Sequence, residues 1–336
     1  MRLTSTAARV AAVTVAGALG LAGCSNGQAD PGPSAKNSGR ATAGAVSARR
    51  IAALRAGLRN PSGRGPVYYL SLGDSLARGI QPSSSGADVA TRRGYPDQLA
   101  ALIRPGLPGL RLVKLGCPGE TTTTMVHGGI CRYPAGSQLR QATRFLRAHR
   151  GRTALVTIDI GANDVNSCVL GQPPPTILTC LIGRIGQTRH NLDVILSALR
   201  AAGGRRLLIV GMTYYVPELG LWYQGRRGRQ IALVTADFVA GANKFIATAY
   251  RRYRARVADT YGAFRSVDFG TVLKHGKRGS GRLPARPVPP NVHAICRLTW
   301  MCAAPPRGPN EHANAAGYAL IARTFWRAIG APAGPG

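Results

Sequence analysis

The chain has 336 residues, of which 45% are hydrophobic, a composition typical of a globular protein and too apolar for a disordered one. Its 44 basic residues against 13 acidic ones give a formal net charge of +31, which would attract anionic lipid, cell-wall polymer or nucleic acid. The arginines are spread along the chain without interleaved aromatic residues, so nucleic-acid binding is not expected as a main role.

The N-terminus has the features of an export signal. A basic start precedes an uncharged, mostly apolar run over residues 10–21, which is too short to cross a bilayer as a mature helix. The run ends in Leu21, Ala22, Gly23 and Cys24, which resembles the lipobox of bacterial lipoproteins, whose cysteine is acylated. We therefore predict an exported protein that is lipid-anchored through Cys24 to the outer face of the bacterial cell membrane. The alternative is an ordinary signal peptide with an incidental cysteine, and hence a secreted protein.

The segment after Cys24 is poor in large apolar residues. Residues 25–48 are mostly small or polar and cannot bury enough surface to offset chain entropy, so they are predicted to be a flexible tether. A short helix is possible over residues 49–60. The predicted organisation is a signal peptide at 1–23, a lipid-anchored linker at 24–60 and one catalytic domain at 61–331, expected to be a monomer.

Short apolar runs alternate with longer helical stretches through the rest of the chain. Strands are predicted at residues 67–72, 110–115, 154–160, 206–210 and, more weakly, 257–260. Helices are predicted near residues 95–103, 137–149, 176–201, 229–255 and 314–329. This alternation indicates an α/β fold with a parallel sheet covered by helices on both faces, in which function gathers at the carboxyl ends of the strands.

Six cysteines remain when Cys24 is set aside, an even number in a chain that has the features of an exported protein. Fifteen disulfide connectivities are possible for six cysteines. Sequential pairs close the shortest loops, so we predict the bonds Cys117–Cys131, Cys168–Cys180 and Cys296–Cys302. A zinc site is the weaker alternative, because no pair has the Cys-x-x-Cys spacing and the histidines are not clustered near the cysteines.

Two segments at strand ends contain candidate catalytic residues. The first strand leads into Gly73-Asp74-Ser75-Leu76, so Ser75 lies where a strand turns into a helix, the usual place for an exposed nucleophile. A helix N-cap would explain the same tetrapeptide. The second strand is followed by a turn containing Gly119, whose backbone N–H could face a cleft, although by itself this could be any turn.

Two further segments follow the same pattern. Asn163 lies in a small-residue turn just after the third strand, where turn formation and capping are the structural alternative. His312 precedes the last helix, whose start is a candidate for capping by Asn314. A lone histidine is usually a surface or core residue, but this position places His312 at the same edge of the sheet as the other candidates.

In order and spacing these segments resemble the SGNH, or GDSL, hydrolase family, whose namesake residues would be Ser75, Gly119, Asn163 and His312. The likeness extends over about residues 67–329 and is closest to exported, three-disulfide actinobacterial esterases and lipases. It implies a three-layer α/β/α sandwich with a five-stranded parallel sheet, flavodoxin-like, and neither a metal nor an organic cofactor. It also implies a Ser75 nucleophile and a His312 general base, with N–H groups of Ser75, Gly119 and Asn163 stabilising the oxyanion.

One position departs from the family pattern. Most members have an Asp three residues before the catalytic histidine, and here that residue is Pro309. Glu311 is adjacent to His312 and therefore poorly placed to orient its ring. The Pro309 carbonyl is the predicted acceptor for the Nδ1 proton of His312.

The predicted function is extracellular hydrolysis of carboxylic esters by an esterase or lipase, with an acyl ester or lipid as substrate. The substrate itself is left open, because its pocket would be built by loops near residues 80–94, 120–136, 165–176, 213–228 and 268–308. The competing hypothesis is a non-catalytic surface lipoprotein that binds cell-wall glycan or anionic lipid on a hydrolase scaffold.

Overall fold

The computed structural model describes residues 38–59, 65–170, 174–270 and 288–331. The chain divides into two compact units, residues 1–41 and residues 42–336. Of the first unit, only the beginning of a helix lies among the described residues. The predicted signal peptide and Cys24 lie outside the described residues, so both stay predictions.

The strands, in chain order, are β1 (Val67–Gly73), β2 (Ile80–Pro82), β3 (Asp88–Ala90), β4 (Leu110–Lys114), β5 (Thr153–Asp159), β6 (Leu208–Met212) and β7 (Arg256–Ala258). Five of them form a parallel sheet in the order β4-β1-β5-β6-β7, and β2 and β3 pair as a separate antiparallel hairpin. The five-stranded parallel sheet of the predicted fold class is therefore confirmed, and each predicted strand lies within two residues of an observed one.

Helices surround the sheet. They are α1 (Ser38–Arg55), α2 (Ser75–Arg78), α3 (Tyr95–Ile103), α4 (Thr122–His127), α5 (Gln138–Ala148), α6 (Asn163–Leu170), α7 (Pro174–Gly203), α8 (Gly225–Arg252), α9 (Thr260–Ala263), α10 (Pro290–Leu298) and α11 (Ala315–Gly330). A 3₁₀ segment, Pro217–Gln224, precedes α8. Helix α3 packs on α11, where Tyr95 stacks on Phe325 with ring centroids 4.7 Å apart, and α5 packs on α7.

The central strands β1 and β5 are almost wholly buried, as expected for parallel strands covered on both faces. This explains why their sequences are nearly continuous apolar runs and not alternating ones. Glycines allow close approach at one crossing: a Cβ on Gly211 of β6 would lie 2.2 Å from the ring of Tyr250 in α8. This contact brings α8 close against β6.

Part of the predicted linker is helical, whereas its boundary with the domain at residue 60 stays a prediction. Helix α1 covers Ser38–Arg55, and Leu54 and Leu58 are buried members of the main hydrophobic core, with Ile51 packed against it. Ile51 and Leu54 are three residues apart and share one face of α1, and Leu58 follows the end of the helix. The rest of the predicted linker lies mostly outside the described residues.

The predicted disulfides are confirmed. Cys117–Cys131, Cys168–Cys180 and Cys296–Cys302 are bonded, with Cα atoms 6.0, 5.6 and 4.9 Å apart. By length and composition alone, the helical stretch Pro217–Arg252 is also apolar enough to cross a membrane. A core helix passes the same test, and buried residues of α8 such as Ile246 and Tyr250 belong to the hydrophobic core.

Candidate active site

Ser75 is the first residue of α2, directly after β1. Gly73, the last residue of β1, has a φ of +132°. A Cβ there would lie 2.1 Å from the carbonyl oxygen of Asp159, so only glycine fits. Asp74 caps the helix, since its Oδ1 accepts a hydrogen bond from the Leu76 N–H at 2.9 Å. The strand therefore ends in a fixed turn that presents the half-buried Ser75.

Two buried carboxyl groups meet at this turn. Asp159 accepts hydrogen bonds from the Tyr95 hydroxyl at 2.5 Å and from the Ala77 N–H at 3.1 Å, while Asp74 accepts one from the Tyr214 hydroxyl at 3.0 Å. Burial raises the pKa of both acids, and that of Asp159 well above its usual range because the nearby Asp74 charge adds to the effect. Burial therefore disfavours the charged form of both groups, and that of Asp159 more strongly.

Gly119 lies at the exposed tip of the turn that follows β4. The turn is anchored at its start, where the Cys117 N–H donates to the Gly73 carbonyl at 3.1 Å and a disulfide joins Cys117 to Cys131. Gly119 has a φ of +77°, and a Cβ there would meet nothing within 4 Å. Glycine is needed at this position for its backbone conformation, and open space lies beside it.

Gln138, at the start of α5, ties the Ser75 turn to the Gly119 turn. Its Oε1 accepts from the Gly73 N–H at 2.7 Å and its Nε2 donates to the Gly73 carbonyl at 3.0 Å. The same Nε2 donates to Glu120 Oε2 at 2.8 Å. Burial raises the pKa of the Glu120 carboxyl, opposed by hydrogen bonds that include the one from Gln138.

Asn163 begins α6, directly beyond β5, and its Nδ2 donates to the Glu120 carbonyl at 3.0 Å. Its neighbour Asp164 accepts from the Thr122 N–H at 2.8 Å and from the Thr122 hydroxyl. Because β1 lies between β4 and β5, the segments carrying Ser75, Gly119 and Asn163 are side by side at one sheet edge. The structure therefore brings these three predicted residues together.

His312 is buried in the segment before α11. An isolated bridge pairs Thr299 with Ala313, and the His312 carbonyl accepts from the Trp300 N–H at 3.0 Å. Asn314 caps α11, as predicted, by accepting from two backbone N–H groups of its first turn. The backbone on both sides of His312 is thereby fixed.

The Nδ1 of His312 has a different partner from the one predicted at Pro309. It lies 2.8 Å from Asn310 Oδ1, which also accepts from the His312 N–H at 3.0 Å. Asn310 Nδ2 in turn donates to Asp88 Oδ1 at 2.9 Å. The prediction that the Pro309 carbonyl accepts from Nδ1 is wrong. The side-chain amide of the next residue, Asn310, takes that place.

Two consecutive tyrosines after β6 connect the two sides of the site. The Tyr214 hydroxyl donates to Asp74, next to the serine, and the Tyr215 hydroxyl donates to the Glu311 carbonyl at 2.9 Å, next to the histidine. Asn243 of α8 clamps Tyr214 by bonding both its N–H and its carbonyl, each at 2.8 Å. His312 also acts on Asp74 electrostatically and lowers its pKa, against the larger effect of burial.

Sequence reasoning missed the supporting residues Asp88, Gln138, Asp159, Tyr214, Asn243 and Asn310. Asp159 sits at the end of a strand among apolar residues, a signal that marks a buried charge needing a partner. The others are polar residues in helices, in loops or, for Asp88, in a short hairpin strand, and most of their partners lie far away in sequence. No group of three or more His, Cys, Asp or Glu side chains suited to a metal ion occurs in the described ranges.

Several solved structures are similar to this chain. A lipase from a goat rumen metagenome shares 14% identity, with a TM-score of 0.47 and coverage of 77% of this chain and 95% of the other. An acetyl xylan esterase from Geobacillus stearothermophilus shares 18%, with a TM-score of 0.43 and coverage of 79% and 95%. An extracellular lipase from Streptomyces rimosus shares 20%, with a TM-score of 0.40 and coverage of 59% and 82%.

No curated protein matches the chain. A family model does match, and it covers residues 71–320, which include Ser75, Gly119, Asn163 and His312. That range is most of the chain and contains the whole parallel sheet except the first residues of β1. The chain therefore belongs to the GDSL-like lipase/acylhydrolase family.

Proposed function

We propose that this protein is an exported serine ester hydrolase, an esterase or lipase that cleaves carboxylic esters through an acyl-enzyme on Ser75. Membership of a family of lipases and acylhydrolases supports ester hydrolysis. The observation that best supports the serine and histidine roles is the pair Tyr214 and Tyr215, which hydrogen-bonds to both the Ser75 turn and the His312 segment.

The proposed reaction has two halves. The Ser75 hydroxyl attacks the ester carbonyl carbon while its proton moves to Nε2 of His312, and the resulting oxyanion is stabilised by N–H donors of Ser75, Gly119 and Asn163. The alcohol leaves with the proton from His312. Water then attacks the acyl-enzyme with His312 again as base, which releases the acid and restores Ser75.

The decisive test is covalent labelling of Ser75. A fluorophosphonate probe should form one adduct, on Ser75, and Ser75→Ala should abolish both labelling and hydrolysis of p-nitrophenyl butyrate while thermal unfolding stays nearly unchanged. Ser197→Ala is the matched control, since Ser197 is exposed on α7 and bonds only locally to the Val194 carbonyl. Absence of an adduct on folded wild-type protein would favour the competing hypothesis of a non-catalytic glycan- or lipid-binding lipoprotein.

The proposed location is the outer face of the bacterial cell membrane, with Cys24 acylated and acyl lipids within reach of the domain. Acyl chains give more durable anchoring than a basic surface, whose attraction to anionic lipid is screened by salt. Cys24→Ser should therefore release the protein into the medium. Retention of the variant on membranes washed at high salt would contradict the anchor.

A further inference from the structure

The residue three positions before His312 is a proline, yet a carboxylate approaches the histidine from elsewhere in the chain. Asp88 is the first residue of β3, and its Oδ1 lies 3.6 Å from Nδ1 of His312. We propose that Asp88, acting through Asn310, is the positioning group that orients and polarises His312. The inference rests on the proposed function, because it concerns the base of that reaction.

The hydrogen bonds assign the protons along this path. A carboxylate only accepts, so the amide group that faces Asp88 must be the Nδ2 of Asn310, at 2.9 Å. The amide oxygen then faces His312, where it accepts from the backbone N–H at 3.0 Å and from Nδ1 at 2.8 Å. Nδ1 therefore carries the proton of the neutral ring, and Nε2 has a free lone pair.

This tautomer is the one that the reaction needs. The Ser75 proton passes to Nε2 as the Oγ–carbon bond forms, and the imidazolium keeps its Nδ1–H on Asn310. The positive charge that appears on the ring is then 3.6 Å from the Asp88 carboxylate. Asn310 fixes the orientation of the imidazole ring, and Asp88 provides the negative charge that the amide of Asn310 lacks.

The β2–β3 hairpin is built to hold Asp88 at this place. Gly86 lies in the turn of the hairpin and has a φ of +87°. A Cβ there would lie 2.3 Å from the Pro306 carbonyl oxygen, so the hairpin packs closely against the segment that precedes His312. The Tyr318 hydroxyl of α11 donates to the Ile80 carbonyl of β2 at 2.7 Å. Two contacts therefore dock the hairpin on the polypeptide that flanks the histidine.

Other charged or titratable groups lie on the elements around the His312 segment, and a pH test must allow for them. They are Asp74 on the β1–α2 turn, Glu311 in the same segment as the histidine, Tyr215 after β6 and Tyr318 on α11. Glu311 is exposed and joins the network through its carbonyl, which accepts from Tyr215. Its carboxylate is therefore the matched control, equal in charge to Asp88 and adjacent to the histidine.

The experiment compares Asp88→Asn, Asp88→Glu, Asn310→Ala and Glu311→Gln by kcat, KM and the pH profile of kcat/KM with p-nitrophenyl butyrate. Asn310→Ala should lower kcat by about 100-fold or more with little change in KM, below the roughly 10⁴-fold known for a reversed tautomer. Asp88→Asn should lower kcat by about 10-fold and, by removing a nearby negative charge, shift the acid limb of the profile downward by at most about one pH unit.

The shift in Asp88→Asn should shrink at high salt, because Asp88 is 48% exposed. Asp88→Glu should restore most of the profile, and Glu311→Gln should change kcat by less than about twofold, as expected for a surface substitution. The double variant Asp88→Asn/Asn310→Asp puts a carboxylate directly on Nδ1 and should hydrolyse the ester within about 10-fold of wild type.

Each outcome separates the two claims. Wild-type protein that labels on Ser75 while Asp88→Asn keeps the wild-type rate and pH profile overturns the role of Asp88 and leaves the proposed function standing. Wild-type protein that neither labels nor hydrolyses overturns the function itself. If Asn310→Ala fails to fold, as judged by circular dichroism, the Asp88→Asn profile and the double variant still decide, and a Glu311→Gln effect as large as that of Asp88→Asn overturns the inference.

Discussion

The serine and the histidine of the site are held by different kinds of structure. On the serine side, Gln138 bonds both backbone groups of Gly73 in a buried setting, and the strands β4, β1 and β5 fix the neighbouring turns. On the histidine side, the hydrogen bond from Asn310 to Asp88 is exposed to solvent. The serine side is thus positioned by the sheet, whereas the histidine is positioned by contacts between loops.

This contrast has an energetic meaning. A buried polar group that loses its partner bears the full cost of desolvation, about 1–3 kcal/mol, whereas water replaces the partner of an exposed one. Substitutions on the serine side are therefore expected to reduce stability first. Substitutions on the histidine side are expected to reduce turnover while the fold persists.

The strongest test of the serine side is Gly73→Ala. The added Cβ would lie 2.1 Å from the Asp159 carbonyl oxygen at a φ of +132°, so we expect a loss of about 4 kcal/mol or more, or failure to fold. Gly119→Ala is the matched control, because its φ is also positive but open space surrounds it, and it should lose only about 1–2 kcal/mol. Urea unfolding measures the free energy of unfolding of both variants. Similar losses would mean that the backbone around Gly73 shifts to accommodate the added Cβ.

A smaller and more direct comparison uses the two neighbouring tyrosines. Tyr214→Phe removes the hydroxyl that donates to Oδ2 of buried Asp74 and should lower the free energy of unfolding by about 1–3 kcal/mol. Tyr215→Phe removes a partly buried bond to the Glu311 carbonyl and should cost only about 1 kcal/mol. Its kcat/KM should fall more than its stability predicts. The contrast between the two sides fails if Tyr215→Phe is the more destabilising change and leaves turnover intact.

A further comparison concerns pH and the buried pair Asp74 and Asp159. Burial and the Asp74 charge hold the pKa of Asp159 above its unfolded value, so the stabilising effect of its proton is full below about pH 3.9 and is lost as pH rises through the folded pKa. The free energy of unfolding should fall with rising pH by up to about 1.4 kcal/mol per unit for each extra proton held.

Asp159→Asn stays neutral, so its stability should vary less with pH than that of the wild type in urea unfolding between pH 4.5 and 7.5. Only the slope is compared, because an amide also changes the local hydrogen bonds. Asp268→Asn, at an exposed ion pair with Arg265, should keep the wild-type slope. An unchanged slope in Asp159→Asn would show that the proton is held elsewhere.

The same contrast explains what the sequence could predict. Ser75, Gly119 and Asn163 follow apolar strand segments, so a regular pattern in the chain located all three turns. The partner of His312 had no such pattern, because Asn310 and Asp88 are separated by 222 positions and meet only when the hairpin folds onto the last loop. The start of α1 within the predicted linker had no such pattern either, because its first residues are mostly small or polar.

The disulfide between Cys117 and Cys131 makes the Gly119 turn depend on the redox state of the protein. It closes the loop that contains Gly119, and the Cys117 N–H donates to the carbonyl of Gly73, two residues before Ser75. A newly made chain in a reducing compartment would lack this covalent closure. We therefore expect reduction of this bond to loosen the turn that carries Gly119.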